Sequence, residues 1–324
     1  MAGYNPKFFS GFNFPLPKLT ASQKKQRASL KANPDSFELK YTHFSIVQNK
    51  ARRFAFYTAT NIDGKSWKAF VKDSSRFKKE PAIADDHQTG GELYDLHQSQ
   101  AGNDFDKGHI TKFQDPQWGD DQTIEQAAAD TMTFVNCVPQ HHKLNRGAWK
   151  SLEDYILKKF TRKTGPNGCK ISVIAGPLLL ANAPFYREEV NGQPFQIPCY
   201  FWKLIVYPNK QNQLSAVAFL MSQRDLLLKH GFVVARKKEV RKGLRAEPDF
   251  FSDFTSGEPY QISITFLEEV TSFSFGLNNL HQPYTKTELT ELIYKRMEVP
   301  LAKAAKAMLV KDKPLAFLFR GISL

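Results

Sequence analysis

The sequence has 324 residues, 41% hydrophobic and 13% aromatic with 27 Phe, enough to build a sizeable core, so wholesale disorder is excluded. Its 45 Lys and Arg against 32 Asp and Glu leave a net charge of +13, which favours anionic partners, either nucleic acid or an acidic membrane surface. Three cysteines without a C-x-x-C pair speak against a disulfide framework or a cysteine zinc site and favour a reducing compartment, and no run of about 18 apolar residues is present to cross a bilayer.

Residues 1–38 read as an arm. Its first part, MAGYNPKFFSGFNFPLPKL, is aromatic and broken by Pro, and lacks the apolar run of a secretory signal. It has no acidic residue before Asp35, as organelle transit peptides do, but it holds a single Arg, Arg27. A short helix is expected next, with Thr20 or Ser22 as N-cap, ending before Pro34. The runs YTHFSIV (41–47) and RRFAFYTATNI (52–62) predict strands, with Asp63-Gly64 as a turn. Residues 85–108 are polar and loop-rich. Apolar residues at 148, 149, 152, 155, 156 and 160 mark one face of a helix of about three turns. CKISVIAGPLLL (169–180) predicts a buried strand, and YFWKLIVY (200–207) with LSAVAFLM (214–221) predicts a hairpin. Residues 223–230 predict a short helix and YQISITFLEEV (260–270) another strand. Residues 285–310 are helical by composition, with Thr287 as a cap and Pro300 as a break. The organisation expected is an arm over 1–38, one α+β domain over 39–284 and a helical tail over 285–324.

Three clusters can carry chemistry. In Asp106-Lys107-Gly108-His109, a His on bent backbone beside a Gly, titrating near neutrality, can take a proton from water. Alone, the ordinary reading is a surface or hydrogen-bonded core His. The second cluster is Asn136-Cys137-Val138-Pro139-Gln140. In the third, Asn145-Arg146-Gly147-Ala148-Trp149 leads to Leu152-Glu153. If Asn145 opens the helix, Trp149 and Glu153 follow at four and eight residues, on one face. Asn and Glu oxygens there can hold a hard cation such as Mg²⁺ with its waters. The same Asn can equally be a helix cap and the same Glu a solvent-facing carboxylate. His141 and His142 read as surface or substrate-edge residues, and Gly64-Lys65-Ser66 lacks the spacing of a phosphate-binding P-loop.

Asp-x-Gly-His, Asn-x-x-Pro-Gln and Asn-x-Gly-x-Trp-x-x-x-Glu, in that order within 48 residues, resemble the DNA/RNA non-specific endonuclease family. The stretches FYTATNIDG, Trp118-Gly119, 130–134, Gly176-Pro177, Ile197-Pro198, Phe201-Trp202-Lys203 and Leu267-Glu268-Glu269 extend the likeness over roughly 40–280. The resemblance implies an α+β fold, a mixed and mainly antiparallel sheet with flanking helices and a ββα-metal (His-Me finger) catalytic unit. It implies metal-dependent hydrolysis of DNA and RNA with little sequence preference, leaving 5′-phosphate and 3′-hydroxyl ends. His109 would be the general base, Asn145 the direct ligand of one Mg²⁺ (or Mn²⁺), and Glu153 the residue that orients a metal-bound water. Asn136 would support the metal helix or the His, and Asp106 the backbone of its motif. Lys107 stands where the family has Arg; it keeps the charge and loses the bidentate fork.

Arg146 and the run Arg236, Lys237, Lys238, Arg241, Lys242 and Arg245 are candidates for phosphate contacts, with Lys158, Lys159, Arg162 and Lys163 as a further basic set. A solvated basic loop is the alternative reading of that run. Relatives often pair, so a homodimer is expected by resemblance. A regulator or inhibitor acting on 1–38 or 285–324 would restrain such an enzyme, and cytoplasmic residence, signal-independent export and an organelle are the locations considered. The rival reading is an inactive nucleic-acid-binding pseudonuclease, which only Lys107 favours.

Overall fold

The computed structural model describes residues 2–69, 76–95, 104–161, 169–209, 213–234, 254–277, 294–295 and 316–319. Helix α1 (Ala21–Lys25) is followed by strands β1 (Glu38–Lys40), β2 (Phe44–Asn49) and β3 (Phe54–Asp63), then β4 (Asp106–His109). Helix α2 (Asp121–Thr131) leads to β5 (Cys137–Gln140) and α3 (Lys150–Thr161). Strands β6 (Lys170–Pro177), β7 (Phe185–Tyr186), β8 (Tyr200–Pro208) and β9 (Leu214–Ser222) come next. After α4 (Arg224–Lys229) come β10 (Val233–Val234), β11 (Tyr260–Ile262), α5 (Ile264–Thr271), β12 (Tyr294–Lys295) and β13 (Ala316–Phe319).

Among the described residues, nine strands form one sheet in the order β1-β2-β3-β6-β8-β9-β11-β13-β12, every neighbouring pair antiparallel. The middle strands β6, β8 and β9 are apolar almost without alternation because both their faces are buried. The expected hairpin is β8–β9, in register from Tyr200↔Ser222 to Pro208↔Leu214. Among the described residues no helix is long and apolar enough to cross a membrane.

The short helix expected after Thr20 is present: Thr20 caps it, with Gln23 reciprocating, and it stops at Lys25, before Pro34. Residues 26–28 then pair with the end of β2, through Lys50 N–H to Gln26 O at 2.9 Å and Ala28 N–H to Gln48 O at 3.0 Å. Two other expectations need correction. The 260–270 run is a strand only as far as Ile262. Ser263 Oγ then accepts from the Phe266 N–H at 3.1 Å, a side-chain cap that starts α5. In 285–310 the described pair Tyr294–Lys295 is extended, as is Ala316–Phe319 beyond it, and both add to the edge of the sheet at β11. Propensity reads the local chain, and an open strand edge overrides it. The rest of that helical expectation lies outside the described residues.

Residues 2–38 are packed into the domain. Tyr4, Phe8, Phe9, Phe14, Leu19 and Ala28 are buried in the same hydrophobic core as the sheet strands. Lys18 and Ser274 exchange backbone hydrogen bonds at 2.8 and 3.0 Å, and Tyr57 Oη donates to Pro17 O at 3.2 Å.

Candidate active site

The site hangs on a small antiparallel hairpin outside the main sheet. Its strands β4 and β5 pair Asp106 with Gln140, Lys107 with Pro139, Gly108 with Val138 and His109 with Cys137. Gly108 leaves room for the Gln140 side chain: a Cβ there would lie 2.2 Å from Gln140 Oε1. The Thr-x-Thr of β3 anchors the hairpin to the sheet. Thr111 Oγ1 donates to Thr58 Oγ1 at 2.8 Å and lies 2.9 Å from Thr60 Oγ1. After β5 the chain turns into a kinked helical segment, Leu144–Trp149, that runs on as α3. The kink is at Gly147, whose backbone leaves helical geometry. Together the hairpin and helix form a ββα unit.

His109 is half-buried. Its ring lies against Phe77, centroids 5.0 Å apart, and near Phe113 at 6.5 Å. Its Nε2 is shielded from solvent and has no hydrogen-bond partner among the described residues. Burial pushes its pKa from 6.5 down to about 4, so the ring is neutral at pH 7. The sign for stability follows. Between about pH 4 and 6.5 the unfolded chain binds a proton that folded His109 does not, so stability falls as pH drops through that window. The melting temperature of the wild type is expected to fall between pH 7 and pH 5, and that of His109→Gln to fall less. Equal falls would contradict the assignment.

Asn136 is fully buried and holds the loop that follows His109. Its Oδ1 accepts from Thr111 N–H at 2.9 Å, and its Nδ2 donates to Thr111 O at 3.0 Å and Thr131 O at 3.1 Å. Asp106 joins hairpin to helix. Its Oδ2 accepts from Asn145 Nδ2 at 2.9 Å and from Arg146 Nε at 2.8 Å, and its Oδ1 accepts from Arg146 at 2.6 Å. The bidentate pair occupies much of Arg146, a residue the sequence suggested for nucleic acid. Lys107 is turned to Asp95, with Nζ 3.2 Å from Oδ1, and lies 5.9 Å from the Phe134 ring centroid.

Glu153, on the first turn of α3, is buried and accepts from Lys203 Nζ at 3.0 Å. Trp149 is a core residue. A second ion pair, Lys112 with Asp154, lies beside this one. Asp115 is buried near both; burial raises its pKa to about 6 against the opposing pull of Lys203 and Lys112. Sequence reasoning missed these charges. The signal for Lys203 was available, because a lone charge inside the apolar run YFWKLIVY must find a partner when buried. Asp95, Phe77 and Phe113 had no comparable signal.

His141 is a correction. It is fully buried rather than a surface residue, while His142 is exposed. The His141 N–H donates to Gln223 Oε1 at 2.7 Å, and its carbonyl accepts from Leu144 and Asn145 N–H at 2.9 and 3.0 Å. Gln223 Nε2 donates in turn to Pro139 O and Pro198 O. This fixes the start of the helix against the sheet. Arg236, Lys237, Lys238, Arg241, Lys242 and Arg245 lie outside the described residues, as do Arg162 and Lys163.

Residues 22–281 match the family model described as DNA/RNA non-specific endonuclease. "Uncharacterized protein y4fB" of Sinorhizobium fredii is 34% identical over 231 residues, 70% of this chain and 33% of that protein. The chain thus spans about a third of that relative's length. Nuclease C1 of Cunninghamella echinulata var. echinulata is 25% identical over 195 residues, 56% of this chain and 70% of the nuclease. The crystal structure of the EndoG/EndoGI complex aligns over 74% of this chain and 85% of that chain, with a TM-score of 0.49 and 16% identity.

Proposed function

Because the chain belongs to the DNA/RNA non-specific endonuclease family, we propose that it hydrolyses phosphodiester bonds of DNA and RNA with little regard for sequence. The observation that carries this reading is the tie between His109's hairpin and Asn145's helix through Asp106. A net charge of +13 suits a polyanionic substrate. Phosphate and sugar contacts carry no base information, so such a site cuts many sequences.

The residues fit a hard divalent ion, Mg²⁺ or Mn²⁺. Asp106 occupies the amide nitrogen of Asn145, which leaves Oδ1 as the atom to offer a cation. Lys203 likewise occupies Glu153 Oε1 and leaves Oε2 for a water of that cation. Ions of this type keep several of their own waters and take few protein ligands. When bound, the ion stabilises negative charge on the phosphate and on the leaving 3′ oxygen. His109, neutral at pH 7, takes the proton of the attacking water. The products carry 5′-phosphate and 3′-hydroxyl ends. Lys107, tied to Asp95, supplies charge near the phosphate rather than a forked contact.

Plasmid DNA and RNA incubated with the intact chain, with Mg²⁺ and with chelator, test the reading. Both polymers are expected to be cut with Mg²⁺ and spared with chelator. Binding of both polymers that persists in chelator, with no cut product under any condition, would instead identify an inactive nucleic-acid-binding relative.

A further inference from the structure

We infer that Lys203 is a positioning residue: it fixes one oxygen of Glu153 and so aims the other at a water of the bound cation. The inference rests on the role proposed above for Glu153.

Lys203 belongs to the middle of β8, where its backbone is in register with Ala175 of β6 and Phe219 of β9. Two neighbouring strands therefore set where its side chain begins. It is 1% exposed, and its Nζ is confined between Glu153 Oε1 at 3.0 Å and the Trp149 ring, centroid 4.9 Å away. Trp149 precedes Glu153 by one helical turn, so the ammonium sits against the face of the helix that carries Glu153. Among the described residues, Lys112 and Lys150 both pair with Asp154. Packing alone does not call for a lysine here, because apolar residues of similar volume generally replace buried ion pairs without loss of stability. What the pair adds is direction. Asp106 does the same for Asn145, taking one of its two polar atoms.

The test compares the wild type, Lys203→Met, Glu153→Gln and the double variant. Mn²⁺ binding to the intact chain without nucleic acid is followed by loss of the free-ion paramagnetic resonance signal, and Mg²⁺-dependent cleavage is measured in parallel. Lys203→Met and Glu153→Gln are each expected to weaken Mn²⁺ binding by roughly 10- to 100-fold, the usual effect of residues that orient a metal's shell. The double variant is expected to bind no more weakly than Glu153→Gln alone, because Lys203 acts through Glu153. Wild-type affinity in Lys203→Met, losses that multiply in the double variant, or no Mn²⁺ binding by the wild type would each overturn the inference. If Lys203→Met fails to fold with Glu153 buried and unpaired, the double variant removes both charges and is compared with Glu153→Gln directly. A wild type that binds Mn²⁺ but cuts nothing overturns the proposed activity, while the binding comparison still decides the role of Lys203.

Discussion

Replacing His109 with Ala is expected to slow cleavage of DNA and RNA by roughly 10²–10⁴-fold, the range that a positioned proton acceptor supplies. Three observations set the expectation. The ring lies against Phe77 and near Phe113, and its backbone is fixed by strand pairing with Cys137. The residue is half-buried with Nε2 as its shielded nitrogen, which leaves Nδ1 as the atom to face the water. Burial keeps the ring neutral, the state that accepts a proton, throughout the range above about pH 4. The loss should fall on the rate of cutting and not on cation binding, because Asn145 and Glu153 are positioned by Asp106 and Lys203 rather than by the imidazole. Single-turnover cleavage together with Mn²⁺ affinity separates the two. A variant that cuts within about threefold of the wild type would remove His109 from the mechanism.

Deleting residues 1–38 is expected to abolish cooperative folding. Tyr4, Phe8, Phe9, Phe14 and Leu19 all leave the core with that segment. Each large apolar side chain that is buried contributes about 1.5–3 kcal/mol. Five of them together rival the roughly 5–15 kcal/mol that holds a whole domain folded. The deletion also removes the Lys18–Ser274 bridge and the hydrogen bond from Tyr57 to Pro17. Thermal melting of a 39–324 chain, followed by circular dichroism, should show no sharp transition. A cooperative melt within a few degrees of the intact chain would mean that the segment's burial adds little. Lost cleavage on truncation therefore reports on folding and says nothing about a regulatory cover. A regulatory role is better probed by single exposed positions in the segment.

The sequence made legible what depends on local pattern. Strands β2, β3, β6, β8 and β9 announce themselves by β-branched and aromatic runs, and α3 by its spacing of apolar residues. The three clusters around His109, Asn136 and Asn145 were visible as motifs, and the hairpin–helix unit brings them into one network. What stayed hidden depends on partners distant along the chain. The pairing of residues 26–28 with the end of β2 has no signal in residues 21–34. The split of 260–270 turned on a single serine acting as a cap. The strands at 294–295 and 316–319 answer to a free sheet edge rather than to their own composition. Asp95 meets Lys107 from 12 residues away, and Gln223 reaches His141 across 82 residues. Such pairs have no spacing rule.

The hydrogen bond between Asn145 and Asp106 also explains why an amide stands at position 145. Asp is the commoner partner of a hard cation, and it is nearly the same shape as Asn. An aspartate there would set an oxygen without a proton opposite Asp106 Oδ2, across a gap that is now 2.9 Å. Two anions at that separation repel, and one would have to take up a proton. The neutral amide avoids that conflict. Under the metal role proposed above for Asn145, it would also leave the cation's charge unreduced by that ligand.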